Sequence, residues 1–375
     1  MKIISAIDSM KGSLTSIEAN RIIKEVFQDK QIKVTEVAIA DGGEGTVEAF
    51  VANGYGSYET ARVHNLKGKL IDTTFGWLEE SKTAIIEASA ASGFQFLDFT
   101  ETTHPKNTSS IGVGETIIKA LDKQAKTIII GLGGTGTVDG GLGALAAFGV
   151  TFYNEKEQEL IPIGKNLVAV SRIDYKKLDT RIKETTFIIA ADVASTLTGS
   201  EGAVNMFGLQ KGISKEELPE YEKAMEQYKS VLLKNRTDHA GDGAAGGLGA
   251  AMRIALDAKI VSGLELIAKQ VQLDTLLEDA DLVVTGEGKM DNQTLQGKGP
   301  VAISLLSKRQ GVPTIAFVGS FVGDSNAFKK MGMDVIIPIL DGVVTLEEAM
   351  RNADENLRRT AQRTKELLFL LNSVD

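Results

Sequence analysis

Four short stretches of this chain set acids and lysines among glycines and other small residues. They are Asp8-Ser9-Met10-Lys11-Gly12-Ser13, Asp41-Gly42-Gly43-Glu44-Gly45-Thr46, Gly286-Glu287-Gly288-Lys289-Met290-Asp291 and Gly319-Ser320. Each follows a short apolar run of strand length, and open α/β sheets bind ligands outside the carboxyl ends of their strands. A bland connecting loop needs one glycine for a turn or one acid for a helix cap. Four such loops in one chain ask for more. Two further clusters, residues 131–136 (GLGGTG) and 241–246 (GDGAAG), offer glycine-rich turns ahead of predicted helices. Backbone N–H groups in such turns receive phosphate. The acids beside these turns are Asp8, Asp41, Glu44, Asp139, Asp192, Glu287 and Asp291. Mg²⁺ takes one or two carboxylates and leaves the rest of its shell to water and phosphate, so this is a suitable supply. Asp139 stands just ahead of a predicted helix and fits N-capping equally well. Lys11 and Lys298 could neutralise the oxygens of a transferring phosphoryl group.

Both 131–136 and 241–246 match G-x-G-x-x-G, the dinucleotide fingerprint. Two matches in one chain show how little the pattern demands. The acid about 20 residues after the first match, Glu155, lies in a charged, turn-like stretch. An NAD(P)-dependent dehydrogenase of a small hydroxy acid is therefore the secondary reading. A Walker A motif is absent: Gly297-Lys298 is followed by Gly299, and Asn292 holds the place of its first glycine. A nucleotide must be held some other way.

Composition removes several rivals. The chain has 375 residues, no cysteine and three histidines, His64, His104 and His239. Disulfides, thiolate nucleophiles, zinc–thiolate and iron–sulfur sites are excluded, and no two histidines stand at metal-binding spacing. With 41 Lys and Arg against 50 Asp and Glu, a formal charge of −9 makes neither nucleic acid nor an anionic membrane a natural partner. No apolar stretch suits a signal peptide or a membrane span, so a soluble, cytoplasmic protein is expected. Glycine is in excess, 39 residues or about 10% against about 7% usually, and the excess is clustered in the turns above.

The elements that must position these residues follow from periodicity. Residues 2–7 and 34–40 read as strands. Between them a Thr15–Glu18 capping box opens a helix, and 44–53 forms a second helix closed by Gly54. Strands at 281–285, 314–318 and 334–339, a helix at 300–310 and a long helix at 346–371 repeat the grammar. Together they predict a five-stranded parallel sheet with right-handed crossovers. The middle differs: an alternating strand at 58–64, a turn at 65–68 into 70–75, buried strands at 84–87, 127–130 and 187–190, and helices at 114–121, 141–148, 216–234 and 247–257. The fold class is α/β in two domains. A doubly wound, Rossmann- or flavodoxin-like parallel domain (1–57 plus 271–375) is interrupted by a mixed α/β domain (58–270), with the active-site cleft expected between them and hinges near 58 and 270. Trp77 and the histidines read as structural. The C-terminal helix leaves open whether it packs internally or against a second subunit, as in a homodimer.

At these residues the sequence resembles the type-1 glycerate kinases, nearly end to end. The motifs are DSMKGSLTS (8–16), ADGGEGT (40–46), GLGGTGTVDGG (131–141), GAAGGLGAAM (243–252) and TGEGKMDNQTLQGKGP (285–300). The resemblance implies ATP- and Mg²⁺-dependent phosphorylation of D-glycerate, with 2-phosphoglycerate favoured. An inactive sugar-acid-binding relative is the other alternative. On this reading Lys11 and Lys298 bind substrate carboxylate or phosphoryl oxygens, and Asp192 or Asp291 accepts the hydroxyl proton. Asp8, Ser9 and Ser13 bind substrate. Gly133, Gly134, Thr135, Gly243, Gly246 and Gly247 receive the nucleotide phosphates, and Asp41, Glu44 and Glu287 hold Mg²⁺. The chain departs from the family pattern at Met10 (usually aromatic), at Val138 (usually Asn), within 191–199, where Asp192, Val193, Leu197 and Gly199 are kept, and at Asp242 (usually small and apolar). These departures are expected at the substrate or nucleotide lining.

Overall fold

The computed structural model describes residues 1–99, 103–192, 194–297 and 299–372. In chain order its strands are β1 (Lys2–Ile7), β2 (Lys33–Glu36), β3 (Ser57–His64), β4 (Leu70–Leu78), β5 (Thr83–Glu87), β6 (Thr127–Gly131), β7 (Thr151–Tyr153), β8 (Arg172–Asp174), β9 (Thr186–Ala190), β10 (Lys259–Val261), β11 (Leu282–Met290), β12 (Thr314–Phe321) and β13 (Val335–Pro338). They divide into two units. One comprises Met1–Asp41, Glu48–Gly54 and Leu264–Asp375, and the other Gly42–Val47 and Tyr55–Gly263.

In the first unit, β1 is apolar from Ile3 to Ile7 and buried throughout, except that Ser5 stands among them. That is the signature of a central strand covered on both faces. It pairs in parallel with β11 and β2, and the sheet runs β13-β12-β11-β1-β2, all parallel. Successive side chains of a strand point to opposite faces, and β12 divides its own accordingly. Ile315 and Phe317 join a cluster with Ile22, Ile23, Phe27 and Leu357. Ala316 and Val318 join Met290, Val301 and Phe328. Helices Ser16–Phe27 and Ala353–Asn372 therefore cover one face, and Gly299–Arg309 with Ser325–Lys330 the other. The sheet is doubly wound.

Local differences have local causes. Strand β2 stops at Glu36 because side chains take over its backbone: Ala38 exchanges both hydrogen bonds with the Asn53 carboxamide, and the Ile39 N–H donates to Ser16 Oγ. The left-handed residue after helix Thr46–Asn53 is Tyr55 (φ 50°) rather than Gly54. The long C-terminal helix is two helices, Leu346–Arg351 and Ala353–Asn372, and the first opens on its own Thr345–Glu348 capping box. Ala353, Leu357 and Ala361 pack on helix Ser16–Phe27, so this helix is spent internally on that face.

The second unit carries a mixed sheet, β10-β9-β6-β5-β4-β3. Its first four strands are parallel, and β4 and β3 are antiparallel. The turn predicted at 65–68 forms there: Asn65 Oδ1 accepts the N–H groups of Lys67 and Lys69, an Asx turn joining β3 to β4. Ile128, Ile130, Phe187 and Ile189 anchor the core, with Trp77 buried among them. Strands β7, β8 and β10, and helices Gly263–Gln270 and Leu273–Glu278, were not foreseen. They are three to eight residues long, too short for periodicity to register. Among the described residues no helix is long and apolar enough to cross a membrane.

Candidate functional site

In the first unit, the carboxyl ends of β1 and β11 carry the expected acids. Asp8 follows β1 and is held by its N–H to the Gly286 carbonyl at 2.9 Å. Its Oδ1 accepts the Ser9 N–H at 2.7 Å. Oδ2 lies beside Gly299, the first residue of helix Gly299–Arg309. Burial pushes the Asp8 carboxyl up to about 7. The nearby charges of Asp41 and Glu287 push the same way, while the Ser9 N–H and the Lys11 ammonium oppose them. The close approach of chain segments here depends on Gly286. Its φ is +156°, and a Cβ would sit 1.8 Å from the Phe317 carbonyl oxygen, so no other residue fits.

The remaining first-unit candidates divide by what they touch. Lys11 is exposed. Ser13 closes the Met10–Leu14 turn by donating its hydroxyl to the Met10 carbonyl at 2.8 Å. Glu287 accepts the Thr294 hydroxyl at 2.7 Å. Asp291 pairs with Lys289 at 3.1 Å and accepts the Gln293 N–H, so it organises the turn into the Thr294–Gln296 helix. Lys298 lies outside the described residues, as does Val193 in the second unit.

Asp8, Asp41 and Glu287 form a set of hard oxygen donors, the chemistry Mg²⁺ selects. No group of three or more His, Asp or Glu among the described residues is disposed to hold a metal by itself. Mg²⁺ needs no such cage when phosphate oxygens complete its shell, so the residues fit the ion. Glu44, the third expected metal acid, is exposed on the Gly42–Val47 loop of the other unit.

In the second unit the ends of β5, β6 and β9 gather around that loop. The Gly133 N–H donates to the Gly42 carbonyl at 3.1 Å, and the Leu132 N–H to the Ala190 carbonyl at 3.3 Å. Gly134 is exposed and left-handed at φ +72°. Thr135 is buried next to it. Asp192 follows β9 and is exposed. Glu87 ends β5 and is absent from the candidates above. It accepts the Val47 N–H at 2.8 Å, which ties the Gly42–Val47 loop to the end of β5. Burial, with Glu44 adding to it, pushes the Glu87 carboxyl up to about 7. The signal that could have found it is its position, an acid directly after the apolar run 84–86.

Gly243, Gly246 and Gly247 have a different account from the phosphate role expected of them. All three are buried. A Cβ on Gly243 would lie 2.1 Å from the Thr196 carbonyl, and one on Gly246 2.2 Å from that of Thr137. Ala245, Gly246 and Gly247 form a left-handed run inside helix Ala244–Leu256. Gly246 and Gly247 are glycines because the 137–141 backbone presses on them, with the Gly140 N–H donating to the Gly246 carbonyl at 3.0 Å. This segment backs the 131–137 loop. Asp139 is a cap, as its position allowed: it is fully buried and accepts from Ser110 N and Oγ, Gly141 N and Gly143 N. The dehydrogenase reading loses its basis, since 131–136 does not open a helix. The next helix begins at Leu142, after the Asp139 cap. The second match, 241–246, follows no strand.

Three departures from the family pattern turn out not to line a ligand surface. Met10 is 3% exposed in the first unit's core, and Val138 is fully buried in the second's. Asp242 is fully buried and held by a two-pronged pair with Arg253, at 2.7 and 2.6 Å. The histidines and Trp77 each meet a partner within the fold. His64 pairs with Glu115, His104 contacts Glu217 and Tyr221, His239 contacts Thr237, and Trp77 Nε1 donates to Glu79.

A family model described as the glycerate kinase family matches residues 3–369. The chain is 37% identical over 370 residues to the glycerate 2-kinase of Escherichia coli (strain K12), covering 96% of each chain. It is 37% identical over 368 residues to the glycerate kinase of Bacillus cereus (strain ATCC 10987 / NRS 248), again covering 96% of each. The crystal structure of a protein assigned as glycerate kinase 2 from Salmonella typhimurium LT2 is similar to this fold with a TM-score of 0.87. That pair is 35% identical, covering 100% of this chain and 99% of that one.

Proposed function

The chain belongs to the glycerate kinase family and is a phosphotransferase, and from that premise we propose that it transfers the γ-phosphoryl group of ATP to the 2-hydroxyl of D-glycerate. The single observation that carries the reading is the Asp8 carboxylate, half-buried at the end of β1 among the charges of Asp41, Glu287 and Lys11. The 2-hydroxyl is favoured because the Escherichia coli relative is named for it.

Phosphoryl transfer needs positioning and charge neutralisation more than covalent help from the protein. The substrate hydroxyl oxygen attacks the γ-phosphorus, the bond to the ADP oxygen breaks, and the hydroxyl proton goes to a carboxylate. We assign that carboxylate to Asp8, whose Oδ2 accepts no hydrogen bond among the described residues and lies at a helix N-terminus. Asp291 is engaged by Lys289 and the Gln293 N–H, and Asp192 is the rival acceptor. Lys11 and Lys298 are assigned to the substrate carboxylate and the phosphoryl oxygens. Ser9 is assigned to the substrate. The turn at Gly133, Gly134 and Thr135 is assigned to the nucleotide phosphates. Asp41 and Glu287 would hold Mg²⁺, which when bound neutralises phosphoryl charge. The small-molecule substrates are thus glycerate and nucleotide.

Two measurements test this. The purified protein with Mg²⁺, ATP and D-glycerate is coupled to enolase with no mutase present. Signal through enolase establishes transfer to the 2-hydroxyl, and ADP without that signal means the 3-hydroxyl. No ADP at all returns the inactive-relative reading. Lys11→Met is expected to lower kcat by about 10²-fold or more, the scale of a lost transition-state charge. Because Lys11 is exposed, its thermal midpoint should stay near native. Equal losses in both would remove Lys11 from the chemistry.

A further inference from the structure

Behind the 131–137 loop of the second unit sits a lysine that neither the sequence reading nor the mechanism uses. Lys211 ends the short helix Leu209–Lys211 and is 3% exposed. Its ammonium donates to the Thr137 carbonyl at 3.0 Å and to the Thr135 hydroxyl at 3.4 Å. An ammonium has three protons to give, and these are two acceptors. Asp139 is the charged group that acts on it. That carboxylate, however, is engaged by Ser110, Gly141 and Gly143, and it makes no ion pair with the lysine.

A cation taken out of water without an ion-pair partner is costly, and a lysine so placed gives up its proton easily. Burial lowers the Lys211 ammonium from 10.5 to about 7, against the pull of Asp139. The loop in front of it is short of negative charge and supplied with donors. The Thr135 hydroxyl accepts from Lys211 and keeps its own proton to give. The Thr137 hydroxyl is buried with no hydrogen-bond partner among the described residues. Gly134, beside them, is exposed.

We propose that Lys211 is the counter-charge of the 131–137 loop: a nucleotide phosphate on the loop is neutralised from behind by this ammonium, through the Thr135 hydroxyl, and its binding draws a proton onto the lysine. Lys211 is a positioning residue here, since it acts through Thr135 and Thr137. The inference rests on the nucleotide reading above and deepens it.

The test is calorimetric titration of the native protein with Mg²⁺ and the β,γ-imido analogue of ATP at pH 8, in two buffers of different ionisation heat. Native protein should take up most of one proton per nucleotide bound. A lysine released near pH 7 and re-protonated by the ligand makes the nucleotide Kd rise about fivefold from pH 7 to pH 8. Lys211→Arg keeps the charge at every pH and should bind without uptake and without that pH dependence. Lys211→Gln should bind about tenfold more weakly, also without uptake. A purely structural lysine would change none of these proton counts. Uptake that persists in Lys211→Arg, or nucleotide binding by the native protein with no uptake, overturns the inference alone. Where the variants do not fold, the native buffer comparison still decides. No nucleotide binding by the native protein overturns the functional reading, and this inference with it.

Discussion

Asp8→Asn is expected to lower kcat by about 10³-fold, within the range for a lost general base, and at the same time to raise the thermal midpoint at pH 8. The two effects have one origin. An ordinary aspartate ionises near 3.8, whereas Asp8 holds its proton to about 7 because burial and the charges of Asp41 and Glu287 oppose ionisation. Between those two values the folded chain binds more protons than the unfolded one, so stability falls as pH rises through this window. Above pH 7 the full cost of the buried charge is present, at most ~4 kcal/mol for this rise. Asparagine keeps the shape and removes the charge. The gain should therefore be measurable at pH 8, absent at pH 4, and largest in metal-free buffer. Adding Mg²⁺ should stabilise the native protein more than the variant, because the ion relieves the same crowding. Scanning calorimetry at the two pH values, with steady-state kinetics beside it, checks all three statements. Loss of stability together with activity would make Asp8 a structural residue. A kcat within tenfold of native would pass the proton to Asp192.

Much of this was legible in the sequence because it is local. The Thr15–Glu18 capping box, the apolar runs of β1 and β12 and the acids placed directly after strands each need only a few neighbouring residues to be read. The parallel pairing of the first sheet, though not its strand order, followed from strands separated by helices. What stayed hidden depends on partners far along the chain. Glu87 serves Val47 across 40 positions, and Lys211 serves Thr137 across 74. No motif marks either residue. The glycines at 243–247 carry a related ambiguity. A glycine required by a neighbouring backbone looks, in sequence, the same as one that admits a phosphate, and only the Thr196 and Thr137 carbonyls beside them tell the two apart. Departure from a family pattern is equally ambiguous until burial is known. Met10 and Val138 are core substitutions, a matter of packing volume rather than of ligand choice.

Asp242 makes that distinction testable. With the carboxylate fully buried and both oxygens on the Arg253 guanidinium, it also accepts the His239 N–H at 2.9 Å, and Arg253 reaches the Thr237 carbonyl at 3.1 Å. Removing one partner of a buried pair leaves an uncompensated charge and costs about 3–5 kcal/mol, whereas replacing both with apolar groups is often neutral. Arg253→Met should be the worse single change, because it strands a carboxylate that no water reaches, while Arg253 without Asp242 retains some exposure. Asp242→Ala with Arg253→Met should recover most of the loss. The resemblance implies a small apolar residue at 242, and here the pair ties the turn before helix Ala244–Leu256 to Arg253 near its far end. Urea unfolding of the two single variants and the double variant gives the coupling energy directly, and the glycerate KM of each folded variant should stay within about twofold of native, as expected for a change away from the ligand. A KM shift of tenfold with stability unchanged would move Asp242 back to the substrate lining. The opposite result leaves substrate choice to the exposed loops at the strand ends.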